Sequence, residues 1–480
     1  MRPDSRTPSG PIRQIPEGSK TSPRGSTSNT HLGRDRRHRT NPSLPQPRTC
    51  VIELVLIRGY RPLRRSKYAG QEGVYAEDGD LVDVEDAHIG RRVREIRTWR
   101  GMSLTATAEL AGVTGAYLSM IERGLRPVTK RSVLEAIAQA LRVSPVDLTD
   151  QPREPSRAAS VEVIAAMTAI EDAVTSWWVG EVPDVPPRPW PEVAADLDRL
   201  NRTLRPNADY AAQGALLPGL IRDLLAAAET DTEHRRSALV GLIAAYKAAA
   251  YLAHDLRFAG LPTLAVDRMR GAAEELGDPV WTSYAAYQRA QVLSGANRPR
   301  QYELAVGAAD IAPASRPEVR GMANLTAALA AASQGDADTA QTHLAEAASL
   351  AELIDADVSP WCQTNFGRTN VGIWRVSIGV ELGEGARVAE IADSVRPGTV
   401  SRSRQAAYWI DYGRALLSER KTREDGLAAL LRAETLAPQK VRSNVFVRET
   451  VTDLLAMANR QAGGRDLRGL AYRMGVAPTG

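Results

Sequence analysis

Between Ser103 and Lys130 the sequence sets short hydroxyl-bearing and small side chains beside a run of cations. They are Ser103, Thr105, Thr114, Gly115, Ala116, Tyr117, Ser119 and Met120, followed by Arg123, Arg126 and Lys130. Guanidinium and ammonium groups pair with phosphate oxygens, while hydroxyl, methyl and thioether groups reach base edges, so this combination has the chemistry of contact with double-stranded DNA. A second group lies far along the chain: Asn324, Asn370, Arg375, Tyr408, Asp411 and Arg414. Asparagine amides both donate to and accept from an extended peptide backbone, and arginine clamps a carboxylate in bidentate fashion. These six are therefore the candidate contacts for a peptide or small-molecule effector, although the same residues at these spacings also make the wet face of an ordinary helix.

Catalytic chemistry is poorly represented. HExxH, GxxxxGK[ST] and GxSxG are absent, and the 6 histidines are scattered. Cys50 and Cys362 lie far apart without companion ligands, so no enzyme, metal site, cofactor or disulfide framework is expected, and a reducing cytoplasm fits.

Positioning the first group requires short helices with tight corners. Ile89, Val93 and Ile96 give a first helix one apolar face, and Gly101 stops it. Ser103 caps a second helix that ends at Ala111 and Gly112, and Thr114 caps a third, Gly115 to Arg123. That third helix buries Leu118 and Ile121 and turns Gly115, Ala116, Ser119 and Met120 outward, which is the exposure of a recognition helix. Gly124 ends it. A basic loop follows, then a helix with Leu134, Ile137, Ala138 and Leu141 on one face and a capped turn at Ser144 and Pro145.

The stretch from Ile89 to Leu148, above all AELAGVT, YLSMIERG and ALRVSPVDL, resembles the Cro/C1-type (XRE) helix-turn-helix family. The resemblance implies a DNA-binding transcriptional regulator. In that family an arginine late in helix one pairs with a glutamate late in helix three, and Arg97 and Glu122 occupy those positions. The family tends to carry a glutamine where this chain has Leu104, and polar base readers where it has Gly115 and Ala116. Small residues there let the helix sit deeper and leave discrimination to Ser119, to thymine methyl groups or to DNA shape.

The remainder reads as all-α. The 480 residues are 43% hydrophobic and only 5% aromatic, a composition that favours closely packed alanine-rich helices over sheets. Residues 88–148 hold 10 Lys and Arg against 5 Asp and Glu, whereas residues 149–480 hold 36 against 41, so the basic excess is gathered in the predicted DNA-binding unit. Four segments are expected: a disordered extension at 1–86, the helix-turn-helix unit at 87–149, a linker with leading helices at 150–235, and helical repeats at 236–475. CVIELVLI at 50–57 is a lone apolar run, and one reading places the natural start of translation near Val74. No apolar run approaches the roughly 18 residues of a membrane span.

Helical pairs are expected at 237–259 with 264–276, 281–293 with 302–309, 319–333 with 336–351, 370–382 with 386–395, and 401–419 with 423–436. With LAAASQGDADTAQTHLAEAASLA as the clearest copy, these units of about forty residues resemble degenerate tetratricopeptide repeats, which stack into an α-solenoid with a concave groove. A non-solenoid bundle is the alternative. The order of an XRE domain and then such repeats resembles the peptide-responsive regulators of Gram-positive bacteria, and the Ala/Arg-rich composition is similar to that of actinobacterial regulators. The expected protein is a homodimer that binds DNA and senses an effector, the alternative being a protein-interaction scaffold tethered to DNA.

Overall fold

A computed structural model describes residues 89–149, 158–184, 186–293, 297–458 and 464–476, and every regular element among them is helical. The expected N-terminal extension, with its apolar run at 50–57 and the alternative start near Val74, lies outside the described residues.

Five short helices come first: α1 (Ile89–Trp99), α2 (Leu104–Leu110), α3 (Gly115–Glu122), α4 (Arg131–Ala140) and α5 (Pro145–Thr149). The hydroxyl of Ser103 accepts from the Ala106 N–H at 3.1 Å, and that of Thr114 from the Tyr117 N–H at 3.2 Å, so both expected caps start their helices. Between them Gly112 turns the chain with φ +62°, a left-handed conformation that a side chain would strain. Val93, Leu118, Ile121, Leu134, Ile137 and Leu141 close a small core. Burying each such side chain contributes about 1.5–3 kcal/mol.

Three further helices follow, α6 (Ala158–Ser176), α7 (Trp190–Arg199) and α8 (Tyr210–Thr230). Then come helical hairpins: α9 (Arg235–Asp255) with α10 (Leu261–Leu276), α11 (Pro279–Val292) with α12 (Arg298–Ile311), and α13 (Pro317–Ser333) with α14 (Ala337–Ala351). The next two pair α15 (Arg368–Leu382) with α16 (Val388–Ala392), and α17 (Arg402–Leu417) with α18 (Arg423–Leu436). The chain closes with α19 (Pro438–Arg442), α20 (Val445–Ala458) and α21 (Arg465–Met474). The expected pairs are present, the fourth with a much shortened second member. Alanines at 245, 248, 249, 327, 328 and 331 are buried at the crossings and let helix backbones approach closely. One apolar core runs from Met167 in α6 to Val476, so the leading helices pack with the hairpins.

One expectation is corrected here. The 21-residue helix α9 has the length and apolar composition of a membrane span, although 72% of its most apolar stretch is buried inside the protein. Its apolarity is accounted for by packing between α8 and α10, which leaves it little exposed face.

Candidate functional site

The α2–α3 corner carries the predicted contacts. Thr105, Ala116, Arg123 and Arg126 are exposed, and Gly115, Tyr117, Ser119 and Met120 are half-buried along the outer side of α3. Arg126 lies over the Tyr117 ring at 5.8 Å, which holds its charge beside the start of α3. Arg123 folds back along its own helix, donating from Nε to the Ser119 carbonyl at 3.2 Å.

Beneath this surface Arg97 of α1 meets Glu122 of α3 in a bidentate pair, with Nε to Oε1 at 2.6 Å and Nη2 to Oε2 at 2.8 Å. Nη1 also donates to the Met102 carbonyl at 2.9 Å. The hydrogen bond to Glu122 raises the Arg97 guanidinium above its ordinary range, although burial opposes it. With side chains only 15% and 5% exposed, the pair ties the first helix to the third and fixes the pitch of α3.

Residues 88–151 match the family described as "Helix-turn-helix domain". Helices α1–α5 within this stretch form a helix-turn-helix domain. The chain is 33% identical over 94 residues to the uncharacterized HTH-type transcriptional regulator y4wC of Sinorhizobium fredii, covering 19% of this chain and 65% of that protein. It is 41% identical over 66 residues to the HTH-type transcriptional regulator SinR of Bacillus subtilis, covering 14% of this chain and 60% of SinR. The chain therefore spans under two thirds of the length of these relatives. No solved structure matches the chain.

The helix-turn-helix domain docks on the repeats through α4 and the loop that precedes it. Glu381 of α15, with its side chain wholly buried, accepts from the Arg131 backbone N–H at 3.1 Å and from Arg131 Nη1 at 2.8 Å. The side chain of Lys130, at the N-cap position of α4, does not cap it, so a carboxylate from the repeats satisfies one of the free N–H groups at that helix start. Arg414 of α17 donates to the Thr129 carbonyl, pairs with Asp411 at 2.7 Å and stacks on Phe446 at 4.7 Å. Phe446 itself is buried in the core of the helix-turn-helix domain. Arg298 of α12 holds Glu135 of α4, with Nε to Oε2 at 2.9 Å.

Further along the seam, Glu449 of α20 accepts from the Ile89 N–H at 2.8 Å and from the Val128 N–H. Burial pushes the Glu449 carboxyl up to about 7. The predicted phosphate contact Lys130 also turns to this seam: its ammonium lies against Gly383, where any side chain would collide with it. The C-terminal end of α15 is a favourable place for a cation and explains the departure from the outer face.

Between α4 and the hairpins lies a cavity of about 400 Å³. Of the six residues proposed for an effector, Asn370 and Asp411 line it. Asn370 Oδ1 accepts from Arg404 Nε at 2.7 Å. Burial pushes the Asp411 carboxyl up, but Arg131 and Arg414 outweigh it and hold the group below its ordinary range. The other four residues stand elsewhere. Asn324 is buried against His343 at 2.7 Å, Tyr408 donates to the Ala392 carbonyl inside a separate apolar cluster, Arg375 is exposed, and Arg414 belongs to the seam. Each sits on a helical hairpin, but spacing along a helix does not say which neighbouring helix a side chain will face.

Sequence reasoning passed over most of the charged wall, including Arg205, Lys247, Arg298 and Arg404. One of these had a signal: Lys247 interrupts GLIAAYKAAAYLA, and a lone lysine inside an apolar helix must find a partner on burial. It does so by donating to the carbonyls of Cys362 and Gln363 at 2.7 and 3.0 Å.

Proposed function

We propose that the chain is a sequence-specific DNA-binding transcriptional regulator whose helical repeats sense an effector and mediate dimerisation in the cytoplasm. One arrangement supports this above all. The polar corner of the helix-turn-helix domain, with Thr105, Ala116, Ser119 and Met120 beside Arg123 and Arg126, faces outward while α4 is held against the repeats. The names of the similar regulators agree with the reading. In this reading Arg123 and Arg126 contact phosphates, and Ser119, Met120 and the small residues Gly115 and Ala116 meet base edges.

A single domain covers half a site, and useful specificity normally needs two recognition helices about one helical turn apart, which is the argument for a homodimer. The repeats are read as degenerate tetratricopeptide-like units. Because Arg131, Leu134 and Glu135 of α4 form part of the cavity wall, an effector bound there touches the DNA-binding domain directly. Its differential affinity for two poses of that domain shifts their populations.

The test is fluorescence-anisotropy binding of the full chain to DNA from upstream of its own gene and to shuffled DNA, across a salt series. Specific operators are typically preferred about a thousandfold or more, and that result is expected. Equally weak binding to both, lost as salt rises, would overturn the reading.

A further inference from the structure

We propose that the cavity is a binding site for a small anionic ligand, a carboxylate or phosphate head carried on an aromatic or apolar body. The inference rests on the reading that the repeats hold an effector and names the chemistry of that effector.

Charge is the first argument. Each carboxylate in the cavity wall is already engaged: Glu135 by Arg298, Asp255 by Lys440 at 2.8 Å, and Asp411 by Arg414. The wall also carries Arg205, Lys247, Arg257 and Arg404, and among the described residues none of these four is ion-paired with a carboxylate. Arg205 has the amide oxygen of Asn201 at 3.0 Å, and Arg404 has that of Asn370. Arg404 Nη2 is shut away from solvent with no partner, as is the indole Nε1 of Trp374, whose ring the guanidinium covers at 4.9 Å. Arginine does not shed its proton to escape such a setting, so an unneutralised guanidinium is a standing cost that a bound anion removes. Burial pulls Arg404 down to about 10, in the direction this cost requires.

Shape and backbone point the same way. A volume of about 400 Å³ suits a small molecule or a few residues of peptide and excludes a folded partner. Tyr251, Tyr287, Trp374 and Ile410 supply an aromatic and apolar lining for the body of the ligand. At the rim, Cys362, Gln363 and Asn365 hold φ of +46°, +54° and +54°, a costly run of left-handed residues pinned by Lys247. Strain of this kind, stored where a cavity meets a loop, accompanies ligand sites.

The experiment is calorimetric titration of the full chain, without DNA, using phenylacetate, phenyl phosphate, and the tripeptide Ala-Ala-Phe with free or amidated C-terminus. Benzyl alcohol and benzylamine serve as neutral and cationic controls. Expected are binding of the anions and of the free-acid peptide, at least tenfold weaker binding of the controls and the amide, and loss of affinity as salt rises. The strongest of the three anions separates a phosphate, a simple carboxylate and a peptide terminus as the natural head. R404M and R205M should each weaken the anions at least tenfold while melting no lower than the parent, because each removes an unneutralised cation.

Equal binding of phenylacetate and benzyl alcohol would overturn the proposal. So would anion affinity unchanged in both variants. Repeating the DNA titration with phenylacetate present separates the two readings. Anion binding that leaves DNA affinity unmoved sinks the sensor and keeps the ligand class, whereas operator preference without anion binding overturns the ligand class and keeps the DNA-binding reading.

Discussion

The helix-turn-helix domain and the helical repeats use charge in opposite ways. In the first, the ion pair of Arg97 and Glu122 is closed on itself beneath the surface, and Arg123 and Arg126 point to solvent. In the second, cations turn inward around a cavity, and several lack a carboxylate. A rigid polyanion such as duplex DNA is met by an outer face whose geometry a buried pair keeps fixed. A small ligand is met by an interior whose charge is incomplete until the ligand arrives. Glu381 and Glu449 join the two regions, and both do so by accepting backbone N–H groups of the helix-turn-helix domain.

The most direct way to break this contrast is Arg97→Ala. Removing one member of a buried pair leaves Glu122 charged and unpartnered, which costs about 3–5 kcal/mol. That is a large part of the stability of an ordinary domain. Hydrogen exchange should lose protection across α1–α4 while the amides of α9, α11 and α13 stay protected. Equal loss in both regions would mean that the domain has no stability of its own to lose.

What the sequence disclosed follows the same division. Local signals are strong in the first region: Ser103 and Thr114 as caps, Gly112 as a corner, and the apolar spacing of Val93, Leu118 and Ile137 all describe the structure found. The helical pairs were legible too, because turns such as QGDAD place a capping aspartate, Asp336, ahead of Thr339. The cavity was not legible. Its wall gathers residues from α4, α9, α11, α15 and α17, and their meeting depends on how those helices cross, which no local spacing encodes. Asn370 and Asp411 were found by residue type alone, and the same reasoning also selected Tyr408, which lies in an apolar cluster.

The seam itself can be sharpened through pH. Glu449 ionises at about 7 rather than its usual 4.5, so the folded protein holds that proton more tightly than the unfolded chain does. The stability this contributes is fully present below about pH 4.5 and is lost as pH rises through 7. Glu449→Gln keeps an oxygen for the Ile89 N–H and cannot ionise. It should match the parent near pH 4 and exceed it at pH 8 by an amount on the order of 3 kcal/mol. Denaturant melts across this range check it, and parallel curves for the two proteins would remove Glu449 from the seam's pH dependence.

On the outer face, Arg126→Ala should leave folding nearly untouched and weaken every DNA sequence alike. Taking one cation away from a phosphate flattens the slope of log affinity against log salt by about 0.9. Anisotropy over a salt series reads this directly. An unchanged slope would assign Arg126 to its contacts within the protein, the Tyr117 ring and the charge of Asp453.

The smallest effect asks the finest question, which is whether α3 reads bases at all. Ser119 is half-buried on the outer side of α3, one turn beyond the small residues Gly115 and Ala116, and its hydroxyl is a polar group of the size that a base edge can accept or donate to. A single neutral hydrogen bond is worth about 0.5–1.5 kcal/mol. Ser119→Ala should therefore change affinity for the preferred sequence only a few-fold, while a randomised operator library selects a different base at one position of each half-site. Preference that stays the same, with unchanged salt slope, would move discrimination from α3's hydroxyl to the deformability of the DNA, which a helix fronted by glycine and alanine is shaped to exploit.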